Sequence, residues 1–312
     1  MRFGIFISDL TGPAVTLQQV ADSAAAAEAA GFTSGWVPHI PWSHDALTAL
    51  AIAGGATSTI ELGTGVVPTY SRHPLGMAQQ ALSTQAACGG RLTLGIGPSH
   101  QSVIEGMYGL SYDKPVRHTR EYVEVLRSAF AGTGTASFQG DVFQVQAMLR
   151  VPEAQPVPIV IAALAPLMLK LAGELADGTL LWMADERAVG EHAVPRIAKA
   201  AAEAGRPTPR VLGGLPIALA DPDAAKERAA KIFGVYANIP TYQRMLARGD
   251  AGGPADVVLA GDEADIERRL RAYEAAGLTE VVCVPFGVGD EGERDASVAR
   301  TTEFLADLHR RW

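Results

Sequence analysis

Residues Pro158–Gly178 read PIVIAALAPLMLKLAGELADG and hold a complete structural unit. The β-branched run Ile159–Ile161 is typical of a strand buried on both faces. Pro166 suits the first turn of a helix, because the amide that proline lacks would be unpaired there anyway. We expect this helix to run to Asp177, with Gly178 allowing a left-handed exit before the next strand. The stretch therefore predicts two parallel strands joined by a helix.

The residues between this strand and this helix are Ala163, Leu164 and Ala165. A turn in that place offers unpaired N–H groups and roughly half a positive charge from the helix dipole. Such a turn can hold a phosphate group. The alternative is an ordinary tight connection with no ligand.

The same order of helix end, glycine and strand recurs along the chain. It is found in EAAGFTSGWV at 28–37 and in EAAGLTEVVC at 274–283. Eight strands are predicted in all, at Phe3–Ser8, Ser34–Val37, Glu61–Val67, Arg91–Ile96, Ile159–Ile161, Thr179–Trp182, Val211–Ala218 and Glu280–Pro285. Because each has a helical pattern beside it, we predict an α/β fold, a (β/α)8 TIM barrel that forms a single domain over residues 1–312.

Two stretches interrupt this alternation. Residues 132–156 alternate apolar and polar side chains around a Gly140-Asp141 turn, which predicts an inserted β-hairpin. Residues 222–253 are helical, carry Tyr236 and Tyr242, and end in a glycine-containing segment. We interpret this second insertion as a lid over one end of the barrel.

Composition excludes several classes of protein. The net charge of −8, with no basic cluster, argues against nucleic acid as a partner. No apolar run reaches 18 residues, so we expect no membrane span, and the amino terminus leads straight into a strand. Cys88 and Cys283 form no disulfide framework, which favours a reducing compartment such as the cytoplasm. The histidines have no metal-ligand spacing, so no metal site is predicted.

Barrel chemistry takes place where the strands end at their carboxyl side, so the residues that follow each strand are the candidates for the site. His39 follows the second strand and His100 the fourth, and Asp9 follows the first. Aromatic and apolar side chains lie at the same level and suit a flat organic ring: Trp42, Tyr70, Tyr108, Trp182, Met183 and Phe286. His73 is interpreted as structural, and His118, His192 and His309 as surface or helix positions.

Four ordered stretches resemble the luciferase-like monooxygenase family, in its branch that uses the deazaflavin coenzyme F420. They are RHPL at 72–75 with GGRLTLGIG at 89–97, YGL at 108–110 with REY at 120–122, the opening stretch at 158–178, and GD at 261–262 leading into AAG at 275–277. The resemblance covers most of the chain. It implies the same barrel, with a flavin-like ring near the second, third and fourth strands.

The resemblance also implies roles for particular residues. It implies a cis peptide bond at Gly65-Val66 against the ring, and cofactor contacts from His39, Gly97 and Pro98. It places the phosphate at Ala163, Leu164 and Ala165, where relatives more often have glycines. It puts a proton-handling group at His100, where several deazaflavin relatives have a glutamate.

The leading hypothesis is an oxidoreductase that transfers hydride between coenzyme F420 and a small apolar organic molecule, with His39 and His100 handling protons. The alternative is an FMN-dependent monooxygenase on the same barrel. A metal-dependent hydrolase and a non-catalytic cofactor-binding protein are more distant alternatives. The expected partners are a small-molecule substrate and a second copy of the chain in a homodimer.

Overall fold

The computed structural model describes residues 1–8 and 15–312. Within them, eight parallel strands close into a barrel, in agreement with the predicted fold. The barrel strands are β1 (Arg2–Phe6), β2 (Ser34–Val37), β3 (Glu61–Thr64) with its continuation β4 (Val67–Pro68), β5 (Leu92–Gly97), β8 (Ile159–Ala162), β9 (Gly178–Trp182), β10 (Arg210–Leu219) and β12 (Glu280–Pro285). They pair in that order, and β12 pairs with β1 to close the ring.

Helices surround the barrel on its outside. Their bounds are α1 (Leu17–Ala30), α2 (Ala46–Gly55), α3 (Pro74–Ala87), α4 (Gln101–Gly106), α5 (Pro115–Phe130), α6 (Pro166–Leu175), α7 (Glu186–Ala188), α8 (Val194–Glu203), α9 (Pro222–Phe233), α10 (Pro240–Leu246), α11 (Glu263–Ala275) and α12 (Arg294–Arg310). A short π-helical turn, Val189–Ala193, joins α7 to α8. No helix among the described residues is long and apolar enough to cross a membrane.

The two insertions have their own structures. Strands β6 (Thr135–Gln139) and β7 (Gln144–Met148) pair antiparallel as a hairpin. Glu121 of α5 accepts hydrogen bonds from the amides of Val142 and Phe143 at the hairpin turn, at 2.7 and 3.0 Å. Residues 222–253 contain α9, a 3₁₀ turn at Gly234–Asn238 and α10, and the short strand β11 (Leu259–Gly261) follows them.

Local signals account for several element boundaries. Thr16 caps α1 through a reciprocal pair of hydrogen bonds with Gln19, and Gly31 ends that helix in the left-handed region at φ 93°. Pro166 occupies the first turn of α6, as predicted. These helix starts and ends depend only on residues that are close in the chain, so they can be predicted from the sequence.

The end of α6 differs from the prediction. The helix stops at Leu175 rather than at Asp177, and its cap, Ala176, is extended at φ −107°. Gly178 is the first residue of β9 and not a left-handed cap. Its lack of a side chain serves close packing, since a Cβ there would lie 2.4 Å from the carbonyl oxygen of Arg210 on the neighbouring strand. The predicted third strand is also divided, into β3 and β4.

Candidate active site

The carboxyl ends of the barrel strands form an opening that we call the mouth. Its floor is apolar: Phe6 and Val66 are half-buried and pack on a cluster inside the barrel, whose members are Trp36, Val160, Leu180, Leu212 and Val282. The Gly65-Val66 peptide bond is cis, as the resemblance implies. Gly97 is buried, and a Cβ there would lie 3.0 Å from Ala162 and 3.2 Å from Val66. The floor therefore has the apolar surface that a flat ring requires.

His39 lies at the edge of this mouth, half-buried, at the end of β2. Its Nδ1 accepts a long hydrogen bond, 3.4 Å, from the amide of Ala46, and lies 3.7 Å from a carboxylate oxygen of Asp45. Burial lowers the His39 pKa; nearby Asp45 opposes this and Arg72 adds to it. A ring whose Nδ1 accepts carries its proton on Nε2, so this nitrogen is available as a donor.

His100 is half-buried at the start of α4 and makes no capping hydrogen bond there. Its ring centroid lies 5.3 Å from that of Tyr242 in the lid segment. Burial lowers the His100 pKa below its usual value, so the imidazole is neutral at pH 7. Pro98, two residues earlier, is half-buried on the same rim. The structure thus brings the histidine and the lid segment together at the mouth.

Residues 222–253, the lid segment, cover a second apolar cluster that we call the lid cluster. Met183, Phe233, Tyr242 and Phe286 are among its buried members, and Trp182 packs against it. The Trp182 ring lies 5.9 Å from the rings of both Phe233 and Tyr236. Three of the predicted substrate contacts, Trp182, Met183 and Phe286, are therefore gathered under the lid segment. Met183 and Phe286 are 0% exposed, so a ligand would reach them only after the cluster opens.

The other predicted substrate contacts lie further apart. Tyr70 stacks on His118 at a centroid distance of 3.8 Å, and its hydroxyl donates to the carbonyl oxygen of Asp113 at 2.7 Å. Tyr108 is half-buried after α4, and Trp42 is 72% exposed. Asp9 lies outside the described residues. The structure does not bring Trp42 against the lid cluster.

The turn between β8 and α6 is open to a ligand. Ala163 is buried, Leu164 is half-buried and Ala165 is exposed. Ala165 starts α6 with no side-chain cap, and its carbonyl accepts from Met168 and Leu169. Among the described residues, the amides of Leu164 and Ala165 have no hydrogen-bond acceptor. Two N–H groups at a helix start are therefore unpaired, which is the arrangement that binds anions.

Asp185 holds the far end of the lid segment near this mouth. Its carboxylate accepts from the amides of Asp250 and Ala251 at 2.6 and 3.0 Å, and from Ala188 at 2.8 Å. A Cβ at Gly249 would lie 2.0 Å from a carboxylate oxygen of Asp185. Glycine is therefore required at position 249 for the lid segment to come this close.

Sequence reasoning missed several groups near the mouth. His118 and His192 lie in helical segments, one of the two positions expected for them, but they are only 7% and 2% exposed and so are not at the surface. The sequence predicts that Tyr236 and Tyr242 belong to the lid segment, but it gives no sign that they lie beside His100 and Trp182. The sequence does not show which distant backbone group a histidine contacts. His192 contacts the carbonyl of Leu164, which is 28 residues away in the chain.

Two surface depressions lie elsewhere. One is lined by Arg127, Asp177 and Arg206 and the other by Gly132 and Arg150, among other residues. Asp177 immediately precedes β9, so the first depression is at the amino-terminal end of the strands, away from the mouth. Arg127 and Arg206 donate to the carbonyls of Leu175 and Ala176 at the end of α6, which gives both arginines a structural role. The described residues contain no cluster of three metal-ligating side chains.

Comparison with known proteins gives a consistent result. The family model described as luciferase-like monooxygenase matches residues 1–280. A 5,10-methylenetetrahydromethanopterin reductase from Methanolobus tindarius is 33% identical, over 74% of this chain and 69% of its own. A Mycobacterium tuberculosis protein assigned as a coenzyme F420-dependent oxidoreductase is 28% identical, over 85% and 90%. The structure of an F420-dependent secondary alcohol dehydrogenase shares the fold, with a TM-score of 0.79 at 20% identity over 98% of this chain and 97% of that one.

Proposed function

The chain belongs to the luciferase-like monooxygenase family, and from that premise we propose that it is an oxidoreductase that transfers hydride between coenzyme F420 and a small apolar organic substrate. The name of the 28%-identical mycobacterial relative supports this cofactor. The observation that carries the proposal is the pair of amides of Leu164 and Ala165, which have no acceptor among residues 1–8 and 15–312 and lie beside an apolar mouth. A cofactor that joins a flat ring to a phosphate fits both features.

The residues at the mouth fit the deazaflavin in the following way. Phe6, Val66 and the flanking Gly65 would support one face of the ring, with Gly97 and Pro98 beside them. His39 would donate from Nε2 to the polar edge of the ring. Leu164 and Ala165 would bind the phosphate through their amides, with Ala163 buried behind them. When bound, the deazaflavin supplies or takes up the hydride.

His100 would move the proton that accompanies the hydride. Its pKa lies below the usual value because the imidazole is buried, so the neutral ring accepts a proton from a substrate hydroxyl near pH 7. In the reducing direction the protonated imidazole of His100 donates the proton to the substrate. The neighbouring tyrosines of the lid segment stay un-ionised, because burial raises the pKa values of Tyr236 and Tyr242. Among the described residues, His100 therefore has uncharged lid tyrosines as its neighbours, which favours an uncharged substrate.

The substrate would lie between the ring and the lid segment. The Trp182 ring, 5.9 Å from that of Tyr236, would contact the substrate, and Met183 and Phe286 belong to the lid cluster on which Trp182 packs. Tyr70, Tyr108 and Trp42 are proposed for the outer wall. Closure of the lid segment, with Asp185 as its anchor, would keep water from the reaction.

Anaerobic turnover tests this proposal. Reduced coenzyme F420 is mixed with a panel of unsaturated ketones and aldehydes without oxygen, and oxidation of the cofactor is followed by its absorbance. We expect oxidation that depends on both the enzyme and the substrate. The family description names a monooxygenase, so a monooxygenase that uses FMN is the second candidate. Turnover that requires FMN and consumes oxygen would support that candidate and contradict ours.

The oligomeric state and the cellular location are two further parts of the proposal. We propose that the protein forms a homodimer. We also propose a cytoplasmic location, supported by the two buried free cysteines, which suit a reducing compartment. Sedimentation at micromolar concentration checks the dimer.

A further inference from the structure

His192 is a buried histidine to which the proposed reaction gives no role. It lies in the π-helical turn Val189–Ala193 and is 2% exposed. π-helical turns are rare and are often found at functional sites. Its Nε2 lies 2.7 Å from the carbonyl oxygen of Leu164, in the turn that precedes α6. The imidazole therefore contacts the backbone of the segment whose amides are unpaired.

The contact defines the protonation of the ring. A carbonyl oxygen only accepts, so Nε2 carries the hydrogen and donates it. Nδ1 is buried and has no partner among the described residues. Burial lowers the His192 pKa; the Leu164 carbonyl opposes this, while Arg248 and Arg196 add to it. The ring is therefore a neutral donor at pH 7, and its fixed partner is the turn.

This hydrogen bond also determines where the next amide points. The carbonyl of Leu164 and the N–H of Ala165 belong to one peptide unit, and in a trans peptide they point in opposite directions. While His192 holds the carbonyl on its own side, the N–H of Ala165 must point away from His192. That N–H is one of the two unpaired donors at the start of α6, and Ala165 is exposed.

We propose that His192 is a positioning residue that orients the Ala165 amide toward the phosphate of the cofactor. The inference rests on the proposed function, because it requires a phosphate at this turn. A turn made of Ala163, Leu164 and Ala165 has no side-chain group that could hold the peptide in place. Its orientation therefore depends on a partner from elsewhere in the chain, and His192 is that partner.

Binding measurements without turnover test this role. The dissociation constants of coenzyme F420 and of its phosphate-free deazaflavin fragment are measured by fluorescence. The constant of the fragment divided by that of coenzyme F420 is the ratio that reports the contribution of the phosphate. His192→Leu fills a similar volume but cannot donate, so we expect the ratio to fall about tenfold while the fragment binds as before. His192→Gln restores a donor and should recover most of the ratio.

His309→Leu is the matched control. His309 also has a buried Nδ1 with no partner in the described part of the chain, but its ring stacks on Phe3 at 5.0 Å, far from the turn. For His309→Leu, the ratio of the two dissociation constants should equal that of the wild type. If His192→Leu does not fold, His192→Asn, which is too short to reach Leu164, should lower the ratio instead.

Two results overturn the inference in different ways. A folded His192→Leu protein with an unchanged ratio shows that the histidine has no part in phosphate binding, and leaves the proposed function intact. A wild-type protein that prefers neither F420 over its fragment nor FMN over riboflavin has no phosphate site at this turn. That result removes the inference together with the cofactor assignment.

Discussion

His100 is the residue on which the proposed chemistry depends most. We expect His100→Ala to lower turnover by about 10²–10⁴-fold, the usual contribution of a positioned acid or base, with little change in F420 affinity. His39→Ala should instead weaken cofactor binding, because His39 is placed at the ring. Steady-state kinetics and fluorescence titration of both variants check this. Equal, small effects of the two substitutions would show that neither histidine handles the proton.

The pH dependence of reduction gives a second view of His100. Its pKa in the folded protein lies below the usual value because of burial. A proton donor must be protonated, so the rate of substrate reduction should fall as pH rises through this lowered pKa. The step should be absent from His100→Ala. A rate that rises with pH over the same range would assign donation to another group.

At the scale of single residues, part of the site could be predicted from the sequence and part could not. Gly97 ends β5, and Gly65, His39 and His100 lie within three residues of the ends of their strands, so a correct strand pattern places them at the mouth. His192 could not be predicted, since it reaches Leu164 only because the chain makes a π-helical turn. The sequence predicts a left-handed conformation for Gly178, because a glycine at the end of a helix often has one. Here the carbonyl of Arg210 explains the glycine instead.

At the scale of elements, the repeated EAAG ending supports two different contacts. Glu274 binds the amino-terminal ammonium group of Met1 and the indole of Trp312. Glu28, at the end of α1, accepts hydrogen bonds from the amides of Ser58, Thr59 and Ile60 at the start of the segment that leads into β3. The helix–glycine–strand order was therefore sufficient to predict the elements. The partner of each glutamate was set by the tertiary fold.

Glu28 gives a prediction about stability and pH. Partial burial disfavours its charge, but the amides of Ile60, Thr59 and Ser58 lower its pKa from 4.5 to about 2. A depressed carboxyl pKa stabilises the fold above the unfolded value, and that contribution is lost as pH falls from about 4.5 toward 2. Because Glu28 is partly solvated, we expect Glu28→Gln to cost only about 1 kcal/mol at pH 7.

Urea unfolding at several pH values measures this effect. The difference between wild type and Glu28→Gln should shrink as pH falls below 4.5. Asp22→Asn, on the exposed side of the same helix, is the control and should change stability by less than about 0.5 kcal/mol. A difference for Glu28→Gln that stays constant down to pH 2 would contradict the assignment.

At the scale of the whole molecule, charged side chains close the barrel at the end opposite the mouth. Arg210 donates to Glu61 at 2.8 Å and to Glu280 at 2.6 Å, and Glu280 is 0% exposed. Burial opposes the charge on Glu61, but Arg210 and Arg2 hold its pKa below the usual value. We assign these ion pairs to stability, because the chemistry of such barrels takes place at the opposite end.

Removing Arg210 should therefore affect stability and not binding. Arg210→Met leaves Glu61 and Glu280 with only the more exposed Arg2, at 2.7 and 3.6 Å, and we expect a loss of about 3 kcal/mol in urea unfolding. The F420 affinity of the folded variant should match that of the wild type. Lys199→Met, which removes an exposed pair with Glu203, is the control and should cost less than about 0.5 kcal/mol. A stable Arg210→Met protein with impaired binding would reverse our assignment of the two barrel ends.

The central claim is that the mouth binds coenzyme F420. Its most direct test is a parallel fluorescence titration of the wild-type protein with coenzyme F420 and with FMN, under the same conditions. We predict that F420 binds at least about tenfold more tightly, a difference of about 1.4 kcal/mol. Tighter binding of FMN, or a protein that purifies yellow with flavin absorbance bands, would contradict it.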